Sequence, residues 1–310
     1  MKVTVVFPGQ GTQYVGMGNA FTEQDHFTRA NQATGYDLKK LMLEGPADEL
    51  KLTENTQPAI VTHSLMLWDK LQGLLKNKNI QVERVLGHSV GEYAALAAAG
   101  VLSFEDAVRS VHYRGKYMQE ASPAGKGTMY AILKQPEALI KECCEAASTA
   151  TESVSPANFN EPTQIVISGD KIACEKAIRL MEEKSGGRVK AIELQVSAPF
   201  HCALMKPAEI KLKAVLDQIT FHPLKVRYIA NVDAKEYATD TNPMAIKENL
   251  LKQVCGSVLW THSIQTLADD TLIIECGPGK VLAGLIKKIT PNLKVISLDS
   301  ETGFSEVEAL

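Results

Sequence analysis

Val82-Glu-Arg-Val-Leu-Gly-His-Ser-Val-Gly-Glu-Tyr-Ala-Ala-Leu-Ala-Ala-Ala-Gly100 is the stretch on which the reading of this chain turns. Val82 to Leu86 is strand-like, Gly87-His88-Ser89-Val90-Gly91 makes a turn, and an Ala-rich helix follows until Gly100 stops it. Strand, sharp turn and helix in that order are the setting of a nucleophile elbow. Its glycines leave room for a strained turn that holds the Ser89 hydroxyl out at the helix amino terminus. There the N–H of Val90 and the positive helix end can stabilise an oxyanion. GxSxG also arises by chance in turns, so the reading depends on the flanks, and both flanks agree with it.

Outward from the elbow, short β-branched runs near 2–7, 82–86, 225–230, 271–275 and 294–298 are separated by long amphipathic stretches. That alternation predicts an α/β fold, a parallel sheet covered by helices in a hydrolase-like core. Between 126 and 197 the rhythm changes to strand (128–133), helix (136–147), strand (153–157), strand (164–168), helix (171–183) and strand (190–196). This βαββαβ order is the ferredoxin-like pattern. Its flanks, Ser122-Pro-Ala-Gly-Lys-Gly127 and Ser197-Ala-Pro199, are turn-rich and suit the crossings of an inserted unit. The expected organisation is a discontinuous core of 1–125 and 198–310 with a subdomain at 126–197.

Composition narrows the function classes. The 310 residues are 45% hydrophobic and 22% charged, which excludes a disordered chain. Lys plus Arg (33) against Asp plus Glu (36) gives −3, and no run of like charge reaches the length of a polyanion-binding tail, so neither nucleic acid nor a membrane surface is an expected partner. Apolar stretches such as Ala94 to Leu102 fall short of the roughly 18 residues of a membrane span. The amino terminus offers only Val3 to Phe7 before Pro8, too short for a secretory signal, and a cytoplasmic location is expected. Cysteines at 143, 144, 174, 202, 255 and 276 form no CxxC pair and no metal-ligand spacing, so they read as reduced thiols without a metal role.

A serine hydroxyl is a weak nucleophile at neutral pH and needs a base. His26, His112, His222 and His262 lie in polar or helical surroundings and read as surface residues, His63 as a core helix residue, and His88 is fixed beside the nucleophile. His201 lies in Ser197-Ala-Pro-Phe-His-Cys-Ala-Leu-Met205, at the expected return from the insert to the core. A domain seam is a usual place for a cleft, so His201 is either the base or a hydrogen-bonded core histidine. Pro8-Gly-Gln-Gly-Thr-Gln13 follows a strand but fails the dinucleotide spacing, because the third glycine would fall at Tyr14. It is either a tight turn or a loop that brings the Gln10 backbone in as a second oxyanion donor. Gly277-Pro-Gly-Lys280 lacks the Walker A spacing and reads as a strand-to-helix turn. Arg114 breaks a helical pattern, since it lies along the inward stripe of Phe104, Val108, Val111, Gly115 and Met118. An arginine turned toward a core wants an anion: a structural ion pair, an escape of its head to the edge, or a bidentate grip on a carboxylate-bearing substrate.

Taken together these residues resemble the malonyl-CoA:acyl carrier protein transacylases and the related acyltransferases of polyketide synthases. The match runs almost end to end: Phe7-Pro-Gly-Gln-Gly11, Gln57-Pro-Ala59, Gly87-His-Ser-Val-Gly-Glu92, Arg114, Asn158-Phe-Asn160, His201-Cys-Ala-Leu-Met205, Asn231-Val-Asp233 and Glu275-Cys-Gly-Pro-Gly279. The resemblance implies Ser89 as nucleophile, His201 as its base, the Gln10 and Val90 amides as oxyanion hole, and Arg114 as the ligand of the malonyl carboxylate. It implies that Gln57, His88, Asn158 and Asn160 line the cleft. Two positions depart from the fatty-acid members. Those often carry, ahead of the tryptophan at 260, a Gln whose backbone carbonyl orients the histidine, and here the expected carbonyl is that of Leu259. They usually have Ser before the histidine, whereas Phe200 is similar to the Phe of malonyl-selective polyketide acyltransferases. That tilts the reading toward a discrete enzyme loading polyketide synthase modules in trans.

The activity so implied is ping-pong transfer of malonyl from malonyl-CoA to the phosphopantetheine thiol of an acyl carrier protein, or of a carrier domain of a synthase, with no cofactor. A fatty-acid transacylase and an acyl hydrolase of the same fold are the alternatives among enzymes. A hydrolase acting on uncharged acyl chains has no use for Arg114. A noncatalytic carrier-docking module is the alternative outside enzymes, and the presence of both Ser89 and His201 speaks against it.

Overall fold

A computed structural model of the chain describes residues 1–21, 25–123, 125–268 and 271–310. Residues 22–24, 124 and 269–270 lie outside the described residues, Ala124 among them within the turn-rich flank 122–127. Among the described residues ten strands form two sheets: β1 (Lys2–Phe7), β2 (Gln81–Gly87), β3 (Gly127–Leu133), β4 (Val154–Glu161), β5 (Gln164–Asp170), β6 (Lys190–Glu193), β7 (Arg227–Ile229), β8 (Glu236–Tyr237), β9 (Leu272–Glu275) and β10 (Lys294–Ser297). The first sheet has the order β10-β9-β1-β2-β7-β8 and is parallel except for β8, a short antiparallel edge strand that the sequence pattern does not announce.

β1 sits in the middle of this sheet, and everything after Lys2 is buried. Helices cover both faces, so Val3, Val5 and Phe7 enter one apolar cluster while Val6 joins Leu86, Ile229 and Ile273 in another on the opposite face. This burial on both sides is why a parallel strand reads as a continuous apolar run rather than an alternation. β1 and β2 run in register to Phe7 and Gly87, so the loop after β1 and the elbow after β2 emerge side by side at one end of the sheet.

The second sheet is antiparallel, in the order β4-β5-β3-β6. Its alternation is clear in β3: Ile132 packs with Ile140, Cys144, Ile165 and Ala177 under the helices Glu137–Ala147 and Lys171–Ser185, while Met129 and Ala131 face the main core. Within this sheet β4 and β6 differ most from the sequence reading. β4 continues past Ala157 to Glu161 because it stays paired with β5 as far as Gln164, and its other edge is bridged by Val258: the Val258 amide donates to Ala157 O at 2.8 Å and the Phe159 amide to Val258 O at 2.9 Å. β6 ends at Glu193 rather than Val196, its ladder with β3 covering only Tyr130 to Leu133. After the Leu194 amide has bonded to Met129 O, the chain leaves the sheet and turns toward His201.

Candidate active site

The elbow is built by close packing. A Cβ on Gly87 would lie 2.1 Å from the Gly91 carbonyl oxygen, and one on Gly91 would lie 2.2 Å from Phe7 O, so neither position admits a side chain. Between them Ser89 is held at φ +50°, a conformation that costs a non-glycine residue on the order of 1–3 kcal/mol. Asn231, just after β7, fixes this turn: its Nδ2 donates to Gly87 O at 2.6 Å, and its Oδ1 accepts from the Ser89 amide at 2.8 Å.

His201 follows the chain leaving β6 and is likewise in the left-handed region, at φ +58°. Its Nδ1 lies 2.8 Å from the main-chain oxygen of Gln253. A carbonyl only accepts, so Nδ1 carries the proton and Nε2 presents a lone pair. That lone pair faces the Ser89 hydroxyl at 2.7 Å. Burial first, then the field of Arg114, pushes the imidazole pKa down to about 3, against the opposing pull of the carbonyl. The ring is therefore a neutral acceptor throughout the physiological range.

The orienting carbonyl corrects the expectation for Leu259. The Leu259 oxygen is taken by the Ser263 amide and hydroxyl, both at 2.9 Å, at the start of the helix Trp260–Gln265. Gln253 stands in the last turn of the helix Pro243–Cys255, where carbonyls have no helical partner and are free for another donor.

Arg114 is 1% exposed on the helix Phe104–Glu120. Its Nη1 donates to Gln57 Oε1 at 2.8 Å, and its Nη2 to Gln253 Oε1 at 2.9 Å and to Ser89 Oγ at 3.1 Å. Its Nε has no partner among the described residues. The cation is thus held by neutral amides rather than by a carboxylate, and burial lowers its pKa from the ordinary arginine value. A buried cation so arranged keeps a strong demand for an anion.

Ser89, His201, Arg114, Gln57, Asn158 and Phe200 all border one cavity of about 420 Å³ between the two sheets. His88 Nε2 lies 2.8 Å from Asn160 Oδ1, and the ring packs edge-on against Trp260. The loop after β1 presses on the elbow, since a Cβ on Gly9 would meet His88 O at 2.7 Å. Among the described residues neither the Gln10 nor the Val90 amide donates to a protein acceptor, and both residues line the cavity beside Ser89. No cluster of three or more His, Cys, Asp or Glu with metal-site geometry occurs among the described residues.

Sequence reasoning assigned no role to Gln253, Asn231 or Glu92. Gln253 had a readable signal: it shares the inward stripe Ile246, Leu250, Val254 of its helix, the same anomaly that singled out Arg114. Glu92 is fully buried in the first turn of the helix Gly91–Ala98 and takes hydrogen bonds from the Tyr228 hydroxyl, the Asn231 amide at 3.2 Å and the Gln253 side chain. Burial pushes its carboxyl up to about 7, against the three donors. His26, expected at the surface, is buried, its Nε2 2.8 Å from Asp69.

Residues 4–273 match the family model described as acyl transferase domain. The chain is 43% identical to the malonyl CoA-acyl carrier protein transacylase of Escherichia coli K12, over 97% of this chain and 96% of that protein. The crystal structure of the corresponding enzyme from Streptococcus pneumoniae superposes with a TM-score of 0.90 at 38% identity, covering both chains completely. A malonyl-transacylase solved in complex with its type II polyketide synthase acyl carrier protein superposes at 0.88, also 38% identical over the whole of both chains.

Proposed function

The chain belongs to the acyl transferase domain family of the malonyl CoA-acyl carrier protein transacylases, and from that premise we propose that it carries malonyl from malonyl-CoA to an acyl carrier protein through an ester on Ser89. The Ser89 Oγ attacks the thioester carbonyl as its proton passes to His201 Nε2. The oxyanion collects the amides of Gln10 and Val90. Collapse breaks the C–S bond, His201 returns the proton to the departing CoA sulfur, and malonyl-Ser89 remains. The carrier's phosphopantetheine thiol then gives its proton to His201 and attacks the ester; the Ser89 oxygen leaves and regains its proton. Arg114 holds the malonyl carboxylate in both halves. These residues supply every proton and charge the two steps use, so the scheme draws on no cofactor.

The observation that carries this reading is Arg114: a buried guanidinium that hydrogen-bonds no carboxylate among the described residues, one hydrogen bond from the nucleophile, bordering the cavity. An acyl hydrolase working on uncharged chains gains nothing from such a group. The reading treats 126–197 as a unit inserted into a core of 1–125 and 198–310, with the cavity on their seam; the apolar cluster that the second sheet forms with its own two helices supports it, while Met129, Ala131 and Val166 on its other face join the main core. Six unpaired thiols fit a reducing, cytoplasmic compartment, and no helix among the described residues is long and apolar enough to cross a membrane. Delivery to polyketide synthase carriers rests on Phe200 bordering the cavity beside His201.

The test is sequential. Malonyl-CoA is added first, the labelled enzyme is freed of CoA, and holo carrier protein is added. Label moving from enzyme to carrier supports the transferase; label released as free malonate with none on the carrier would make the protein a hydrolase. Fatty-acid and polyketide carriers run in parallel decide the pathway.

A further inference from the structure

Neither half of the proposed reaction uses Glu92, yet it is buried three residues after the nucleophile and tied to the residues that hold the site together. Its Oε1 accepts from the Tyr228 hydroxyl and the Asn231 amide, and its Oε2 from Gln253 Nε2. A side-chain amide has one donating and one accepting end. The donating end of Gln253 is pinned on Glu92 and on Ser89 O at 2.8 Å, so its oxygen is left facing Arg114 Nη2 at 2.9 Å. A guanidinium has no acceptor, so the reversed amide would set donor against donor at Arg114. Carboxylate, amide and guanidinium thus form a chain of polarity that one orientation of Gln253 satisfies.

We propose that Glu92 is a positioning residue for acyl selection: through the Gln253 amide it holds the Arg114 guanidinium in place beside Ser89, ready for the acyl carboxylate. The proposal rests on the reading of Arg114 as the ligand of that carboxylate. Glu92 touches neither substrate nor a reacting atom, and its effect reaches the acyl group only through Arg114. It should therefore matter for carboxylated acyl groups and much less for others.

Glu92→Gln conserves shape and removes the property in question. The Asn231 amide still claims the oxygen of the new side chain, so its NH2 group faces Gln253 Nε2, donor against donor, while Ser89 O forbids the reversed amide; Gln253 is pushed from its place and parts from Arg114. The measurement is kcat and KM for enzyme acylation by malonyl-CoA and by acetyl-CoA, at about pH 8, above the Glu92 value of about 7. The malonyl-over-acetyl ratio should fall roughly tenfold to a hundredfold, mainly through a higher KM for malonyl-CoA. Tyr228→Phe removes a donor from Glu92 without altering what Glu92 offers Gln253, and should keep the ratio even if it costs stability. Gln253→Met keeps the main-chain carbonyl on His201 but loses the amide; it should lower the ratio as Glu92→Gln does, and carries the test if that variant does not fold. Should Arg114→Ala lower the ratio while Glu92→Gln and Gln253→Met both leave it unchanged, Glu92 is structural only. An unchanged ratio in Arg114→Ala itself would overturn the reading of Arg114, and this proposal with it.

Discussion

Arg114 Nη2 donates to Ser89 Oγ at 3.1 Å, so the group read as the carboxylate ligand and the group read as the nucleophile touch each other directly. Two consequences follow from that contact. A malonyl group esterified to Ser89 can fold its free carboxylate back onto Arg114, because the acyl carbonyl and carboxylate are separated by a single methylene. The same N–H also lowers the cost of negative charge on Oγ as it loses its proton, which lightens the demand on a histidine backed by a carbonyl rather than a carboxylate.

Ser89→Ala is expected to abolish the acyl-enzyme. The wild-type protein should gain the mass of one malonyl group on incubation with malonyl-CoA, and peptide mapping should place it on Ser89. An adduct found on another residue would defeat the mechanism.

Arg114→Ala should separate substrates by charge. A charge-assisted hydrogen bond to a carboxylate contributes about 1.5–3 kcal/mol, and malonyl alone can use it, so kcat/KM for malonyl-CoA should drop at least roughly tenfold. Acetyl-CoA should lose little or gain. Equal losses for the two would make Arg114 a structural residue.

For His201, a pKa pushed down to about 3 predicts that the ring stays neutral across the whole range in which an ordinary histidine titrates. Carbon-13 shifts of its ring should be flat between about pH 8 and 5. The linked stability has a definite sign. The folded value lies below the unfolded one, so the contribution is complete above about 6.5 and is lost progressively as pH falls from there toward about 3. A ring that titrates near 6.5 in the folded protein would contradict the burial argument.

Phe200 borders the cavity and adjoins His201, so Phe200→Ser should open space beside the acyl α-carbon. Malonyl over methylmalonyl is expected to be preferred by roughly ten- to two-hundred-fold in the wild type, the usual worth of one methyl group in a pocket, and the preference should shrink in the variant. Competition between the two CoA esters, read as the acyl-Ser89 ratio, measures it. The same ratio in a variant that folds and turns over would remove Phe200 as the gate.

The parts of this site that were legible in the sequence are those whose physics is local. The elbow declares itself because strand, glycine turn and helix are contiguous over 82–100, and Arg114 because a charge interrupts an apolar stripe. The α/β class followed from alternation along the whole chain. The carbonyl on His201 was placed at Leu259 because a backbone acceptor leaves no mark in residue type; only the end of the helix Pro243–Cys255, 52 residues away, shows that Gln253 offers it. Leu194 to Val196 alternate as a strand would, but although β3 runs on to Gly127 the ladder ends at Glu193: only the Leu194 amide still reaches Met129 O before the chain turns away toward His201. Asn231 reaches back across more than a hundred residues to Gly87 and Glu92, contacts that no local pattern encodes.

Ser89 and His201 both occupy the left-handed region of backbone space, where a side chain is disfavoured and glycine is at ease. The fold therefore carries a standing cost at the two positions proposed as nucleophile and base. Selection for thermal robustness alone would erode this protein from its centre: replacing either residue by glycine relaxes the backbone while deleting the reactive group. Libraries screened for survival of heating, with no demand for turnover, should accordingly accumulate inert variants at 89 and 201 before they change much of the surface.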